Sequence, residues 1–310
     1  GALCEGPEPQ HYYGAVYHRR ETIGAHIGDR QQYQVAGTIM KADVVISVPK
    51  LKVHKKVGVT LNVKGLVGIC TNKNLLVHYA LGSPTEGGDQ YPEGLFAPTE
   101  EALIKLERWL YDHLLARQSV PLEYVHRSLY WLHGQTLKRL GITVDPKKRM
   151  YDAGNWYGND SAWRMAVDLA RIIYFADAKG RLHDTPQRRL FSVVDGIVGG
   201  ENNGPLAPDP KPAGVLAAGG SLLAVDIVAT RLMGFDYRCM RQFSILEDPY
   251  FDFGIRKIED IEVVSDDPSL QQCLDAPSDR YLAFKPHPGW KGHLEIDNHV
   301  EGVEQWLASR

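Results

Sequence analysis

The pattern of apolar and polar positions changes character several times along the chain, and each change marks an element. Residues 43–49, DVVISVP, form an apolar, β-branched run that Pro49 ends, which is the pattern of a buried strand. The next residues, KLKVH, alternate instead. Extended backbone there puts Lys50, Lys52 and His54 on one face and Leu51 and Val53 on the other. The following VGVTLNVKGLVGIC is too apolar for a surface loop. Further on, FSVV at 191–194 reads as a second buried strand with Asp195 at its carboxyl end. GVLAAGG then reads as a strand and turn leading into a helix that Ser221 caps and Gly234 closes.

Helical periodicity dominates elsewhere. From Pro98 the sequence places Leu103, Leu106, Leu110 and Leu114 on one stripe, and a second helix follows through SLYWLHGQTLKRLGI to Gly141. His113, His126 and His133 fall on this pair and read as surface or interface histidines. A helix starts at Ala162 with Met165, Leu169 and Ile172 as its buried stripe, capped by Asn159, Asp160 or Ser161. Shorter elements are expected as a helix within 29–41, a strand at 261–265 and a tail helix at 301–310. HYALGSPTEGGDQYPEG reads as a long loop from which His78 and Asp89 project, of the kind that serves as a lid or binding loop. The expected fold is α/β: a three-layer sheet with helices on both faces and a helical insertion. Residues 1–97 form its first part with the basic segment, 98–150 the insertion or cap, and 151–310 the second part.

Composition narrows the class. With 310 residues and 44% hydrophobic content, the chain can build one large or two ordinary cores. A net charge of -3 argues against a nucleic-acid-binding body. No run reaches the length of a membrane span and no signal peptide is visible. Cys4, Cys70, Cys239 and Cys273 are scattered, which favours reduced thiols in a cytoplasmic setting.

Charge is distributed unevenly. Between Asp43 and Glu86 there is no carboxylate, yet Lys50, Lys52, Lys55, Lys56, Lys64 and Lys73 fall there with His54 and His78. A solvated lysine face is one reading of such a run. A clamp for a phosphate or carboxylate is the other, favoured because the lysines alternate with apolar residues at the end of a strand, where open α/β sheets bind ligands.

Other polar groups are also placed for chemistry. Glu201, Asn202 and Asn203 follow a glycine-rich stretch that is neither a Walker loop nor GxGxxG. Asp195 and Glu201 are candidates to hold a divalent cation. Asp226 sits in the apolar helix LLAVDIVATRLM and needs a partner, either backbone amides or a cationic or metal site. Asn159, Asp160 and Arg164 mark a helix start among tryptophans, a ligand edge or a capping motif. His287 and His293 have only weak metal spacing.

Three segments, DVVISVPKLKVHKKVGVTLNVKGLVGI, VVDGIVGGENNGPLAPDP and AGGSLLAVDIVATRLMGFD, resemble the bacterial and archaeal family called domain of unknown function 362. GNWYGNDSAWRMAVDLARI and HPGWKGH are similar to a subset of it. The resemblance spans most of residues 28–293. Some relatives carry appended ferredoxin-type motifs, which implies association with iron-sulfur proteins. This chain departs from them in having isolated cysteines, so no intrinsic cluster is expected. Relatives also carry an N-terminal Lys-Pro-Asn element that this chain lacks, so the chain, which begins at Gly1, is expected to be incomplete.

These readings converge on an enzyme acting on a small anionic metabolite, phosphorylated or carboxylated. Lys50, Lys52, Lys55, Asn62, Lys73 and Asn203 would bind it, and Asn159, Asp160 and Arg164 would close the far side. His54, His78, Lys64 and Asp226 are the candidates for catalysis, the histidines because imidazole titrates near neutral pH. The cofactor is unknown, with a divalent metal as one option. A redox accessory working with an iron-sulfur partner and a non-catalytic anion-binding module are the alternatives.

Overall fold

The β-branched and glycine-rich runs become strands, and one long strand gathers the others. The computed structural model describes residues 1–14, 18–114, 144–271 and 282–296. In chain order the elements are β1 (Tyr12–Tyr13), α1 (Arg19–Ala25), α2 (Gly37–Met40), β2 (Val44–Ser47), β3 (Lys50–His54), β4 (Gly58–Val59) and α3 (Leu61–Gly65). There follow β5 (Tyr79–Ala80), α4 (Pro98–Leu114), α5 (Pro146–Arg149), α6 (Ala162–Phe175), β6 (Arg189–Glu201), β7 (Asp209–Gly219) and α7 (Leu222–Leu232). The fold is α/β with a mixed sheet, and the chain packs as two compact units. One comprises residues 3–33 and 72–161, the other residues 34–71 with the described residues from 162 onward. The second helix expected at 128–142, the tail helix at 301–310, His126, His133 and Cys273 lie outside the described residues.

The second unit is built around β6. Strands β2 and β3 run parallel to it, in succession along one edge, and β7 runs antiparallel along the other. Leu190, Ser192 and Val194 turn to the buried side, where α7 packs on β6 and β7 and against α3. Met165, Leu169 and Ile173 of α6 are fully buried in the same unit, so the expected stripe holds but turns on Ile173 more than on Ile172. Ser221 caps α7 by accepting from Ala224 N–H, as its sequence predicts.

Three expectations change here. DVVISVP forms β2, but Val44 and Ile46 are exposed rather than buried, because that side of the sheet is open among the described residues. The FSVV strand does not end at Asp195. It continues to Glu201, because its glycines let it run close to β3: a Cβ on Gly199 would stand 2.8 Å from the Leu51 carbonyl oxygen. Among the described residues, 261–265 pair with no strand and form none.

The first unit pairs β1 with β5, placing Tyr13 opposite Tyr79, whose rings stack at 5.1 Å. Its core joins Tyr91, Phe96, Ile104 and Val144. On α4, Ile104 is buried and Leu103 packs against the same core, while Leu106 is exposed, so the expected leucine stripe holds only in part. Arg108 lies over the Tyr13 and Tyr79 rings and pairs with Asp152 at 2.9 Å, which draws a polar side of α4 inward. The 78–94 segment is no projecting loop. Asp89 is buried and accepts from Ala80 N–H, Asp160 N–H and Ser161 Oγ at 2.6–2.8 Å, tying the segment down.

Candidate functional site

The basic turn that follows β3 is held from several directions, all within the second unit. Leu51 and Val53 point into the core and fix the strand, as its period of two predicts. At its end Lys55 N–H donates to Gly204 O at 3.2 Å, and Lys52 Nζ reaches Pro205 O at 3.2 Å. Gly204 can lie this close because it lacks a side chain; a Cβ there would meet the Val53 carbonyl oxygen at 2.2 Å. The glycine-rich stretch therefore serves backbone packing against β3. From far along the chain, Trp290 Nε1–H donates to Lys55 O at 2.8 Å.

Two imidazoles flank the turn. His54 Nδ1 accepts from Lys56 N–H at 3.0 Å, and His287 Nδ1 accepts from Gly289 N–H at 3.1 Å. In each neutral ring the proton then sits on Nε2. His287 is only 5% exposed, and Lys56 and Lys64 are also buried. Burial first, then the charges of Lys55 and Lys56, hold the His287 imidazole down at about 4. Burial also lowers the Lys55 ammonium from its ordinary value. Among the described residues, Lys55 Nζ has no ion-pair partner and His287 Nε2 no hydrogen-bond partner. Neutral Nε2–H and an ammonium are both donors, so the turn can receive an acceptor carrying negative charge.

Asp226 supports the helix that follows. Its Oδ1 accepts from Asn62 N–H at 2.8 Å and Asn62 Nδ2 at 2.7 Å, and its Oδ2 accepts from Val63 N–H at 2.8 Å. Asn62 Nδ2 also reaches Ser192 Oγ on β6 at 2.7 Å. Of the two partners the sequence left open, Asp226 takes the backbone amides. These bonds fall just after Leu61, whose φ of 42° is left-handed, and they offset the strain of that conformation. Burial pushes the Asp226 carboxyl up to about 7, against the pull of the same three donors toward the ionised form.

The remaining sequence candidates are dispersed. Lys50 pairs with Asp195 at 2.6 Å on the exposed side of the sheet, and this partner holds the Asp195 carboxyl below its usual value. Glu201 accepts from Lys285 N–H at 3.0 Å and has the Lys211 and Lys285 ammoniums about it at 4.0 and 3.9 Å. Six residues of strand part it from Asp195, roughly 20 Å. The two do not share a cation site, and among the described residues no group of three His, Cys, Asp or Glu is placed to hold a metal.

Asn203 is exposed. Arg164 lies over the Trp163 ring at 4.5 Å. Lys73, His78, Asn159 and Asp160 belong to the first unit. There Asn159 Nδ2 donates to the carbonyls of His78 and Gly154 while its Oδ1 accepts from Ser161 N–H, a bracing role. Cys4, Cys70 and Cys239 are free thiols, and burial pushes Cys239 up to about 12.

Lys56, His287 and Trp290 meet at this turn, though their sequence does not mark them as neighbours. The acid-free stretch pointed to Lys56. For His287 and Trp290 the signal was HPGWKGH, a histidine and an aromatic in a turn-rich segment, with nothing in the sequence to say where it docks.

Comparison with known families agrees with the motif order. Residues 12–231 match the family described as domain of unknown function (DUF362). The segment bearing His287 and Trp290 lies beyond that match. No curated protein and no solved structure matches the chain.

Proposed function

The chain belongs to the family described as domain of unknown function (DUF362), and from that premise and the geometry above we propose that it is an enzyme acting on a small anionic metabolite, phosphorylated or carboxylated. The anion is received by Lys55, Lys56 and His287 at the end of β3. One observation carries this reading: a buried imidazole and a lysine ammonium stand together with Nε2 of the one and Nζ of the other unengaged. Donors with no protein partner beside a buried ring favour a charged acceptor from outside.

Proton transfer follows from the same electrostatics. His287 is held neutral and weakly basic first by its burial and then by the charges of Lys55 and Lys56, which oppose its protonation. An anion that neutralises those charges raises its pKa toward the working range and makes it a better proton acceptor when substrate is present. His54 is the second candidate for that step. Lys64 and the Asn62–Asp226 brace hold α3 next to the turn; Asp226 is a positioning residue. The redox-accessory alternative draws on the family resemblance alone.

Isothermal titration of the full chain with inorganic phosphate, pyrophosphate and a panel of di- and tricarboxylates tests the reading, with turnover of phosphorylated and carboxylated metabolites followed by mass spectrometry. Lys55→Met is expected to weaken anion binding about tenfold, the worth of one charge-assisted contact. Equal binding by that variant, or no binding by any member of the panel, overturns the assignment. Binding without turnover supports the non-catalytic module instead.

A further inference from the structure

The side of the β6 sheet opposite its helices carries a surface that the proposed site does not use. Register places Ile46 beside Phe191 and Asp195 beside Leu216, so Val44, Ile46, Phe191, Val193 and Leu216 project from one face. Ile46 is 62% exposed, Leu216 64%, and Ile197, next to the bulge in β6, 60%. Contiguous apolar side chains on a sheet face mark an interaction surface rather than ordinary scatter.

We propose that this face binds a second copy of the chain, sheet on sheet, in a two-fold dimer. Three features commit it to that occupant. The first is charge. Lys50 and Asp195 pair at 2.6 Å within the face and both remain partly exposed. In a two-fold interface residue i meets residue j and j meets i, so each copy offers the other a cation opposite an anion. An unrelated apolar partner has no need of such self-complementarity.

The second is the edge. Pro210 and Pro212 sit on β7 opposite Gly200 and Val198 and have no N–H to offer a further strand. Growth by adding a strand beside β7 is thereby blocked, while stacking on the face is not.

The third is size. The open part of the face is about three strands wide and ten residues long, a flat footprint of roughly 450 Å² at ~4.8 Å per strand and ~3.3 Å per residue. Side chains standing off the pleat enlarge it, which brings two copies near the lower end of specific interfaces at about 1,200 Å². Such a dimer is modest and concentration-dependent. Its two sheets stack about 10 Å apart.

Sedimentation-equilibrium analysis of the full chain from about 1 to 200 μM provides the test. The wild-type chain is expected to dimerise in this range. Leu216→Glu, at a position 64% exposed, is expected to leave the circular dichroism spectrum intact and to raise the dimer dissociation constant at least about tenfold, since the substitution enters the interface twice. Ile197→Glu is the second variant. Lys50→Asp is expected to weaken the dimer by setting like charges against each other, and adding Asp195→Lys is expected to recover it. A wild-type chain that stays monomeric to 200 μM overturns the proposal, as does a dimer that neither Leu216→Glu nor Ile197→Glu weakens.

Discussion

Trp290 Nε1–H donates to the backbone carbonyl of Lys55 at 2.8 Å, joining residues 235 positions apart in sequence. The contact leaves the Lys55 side chain available while fixing its backbone, and it carries the turn after His287 to the end of β3. Trp290→Phe keeps the ring and removes the donor. It is expected to cost about 1 kcal/mol of stability and to lower anion affinity several-fold by loosening the turn. Chemical denaturation and titration with phosphate check both; unchanged affinity at reduced stability would confine the bond to a structural role.

His287 gives the fold a pH signature. Its folded pKa of about 4 lies below the ordinary 6.5, so between those values the unfolded chain binds a proton that the folded chain does not. Stability from this residue is therefore fully present above pH 6.5 and is lost as pH falls through 4, up to about 3 kcal/mol. His287→Gln is expected to flatten that part of the slope. The difference between the two chains in urea melts at pH 4, 5, 6 and 7 isolates the effect, because Asp226, raised to about 7, acts in the opposite sense in both.

Asp226→Asn replaces one accepting oxygen with an amide that turns a donor toward the Asn62 or Val63 N–H. A loss of about 1–3 kcal/mol is expected, from one buried donor left unsatisfied. Hydrogen exchange at the Asn62 and Val63 amides reads the cause directly. Retained protection with unchanged stability would show that the bonds to Asp226 do not hold α3.

Gly204→Ala introduces a Cβ 2.2 Å from the Val53 carbonyl oxygen. The turn must move off β3, at an expected cost of about 1–3 kcal/mol. The bonds to Lys52 Nζ and Lys55 N–H go with it, so anion affinity is expected to fall in the same variant. Thermal melts and phosphate titration check the two together.

Much of the second unit was legible. Alternation in KLKVH placed Leu51 and Val53 in the core, the serine cap of α7 stood where its sequence set it, and a carboxylate in LLAVDIVATRLM had to find a partner. What stayed hidden was non-local. Nothing in DVVISVP distinguishes a strand buried on both sides from one left open on one side, because β-branched residues suit both. Asp195 looked like a strand terminus because glycine weakens strand propensity, yet Gly199 is there to admit the Leu51 backbone. His78, Asn159 and Asp160 read as site residues from their chemistry alone, and within the first unit Asn159 braces the His78 and Gly154 carbonyls. His287 is more than 200 positions from Lys55, and only the fold brings its ring within reach of the Lys55 charge.

NMR of ring-labelled protein can follow the His287 imidazole from pH 3 to 8, without and with saturating inorganic phosphate. A pKa near 4 is expected in the free protein, with a rise of at least about one unit with phosphate, because a bound anion offsets the charges of Lys55 and Lys56. A pKa that does not move, in a protein that binds phosphate, would place the anion elsewhere and contradict the assignment of this turn as its site.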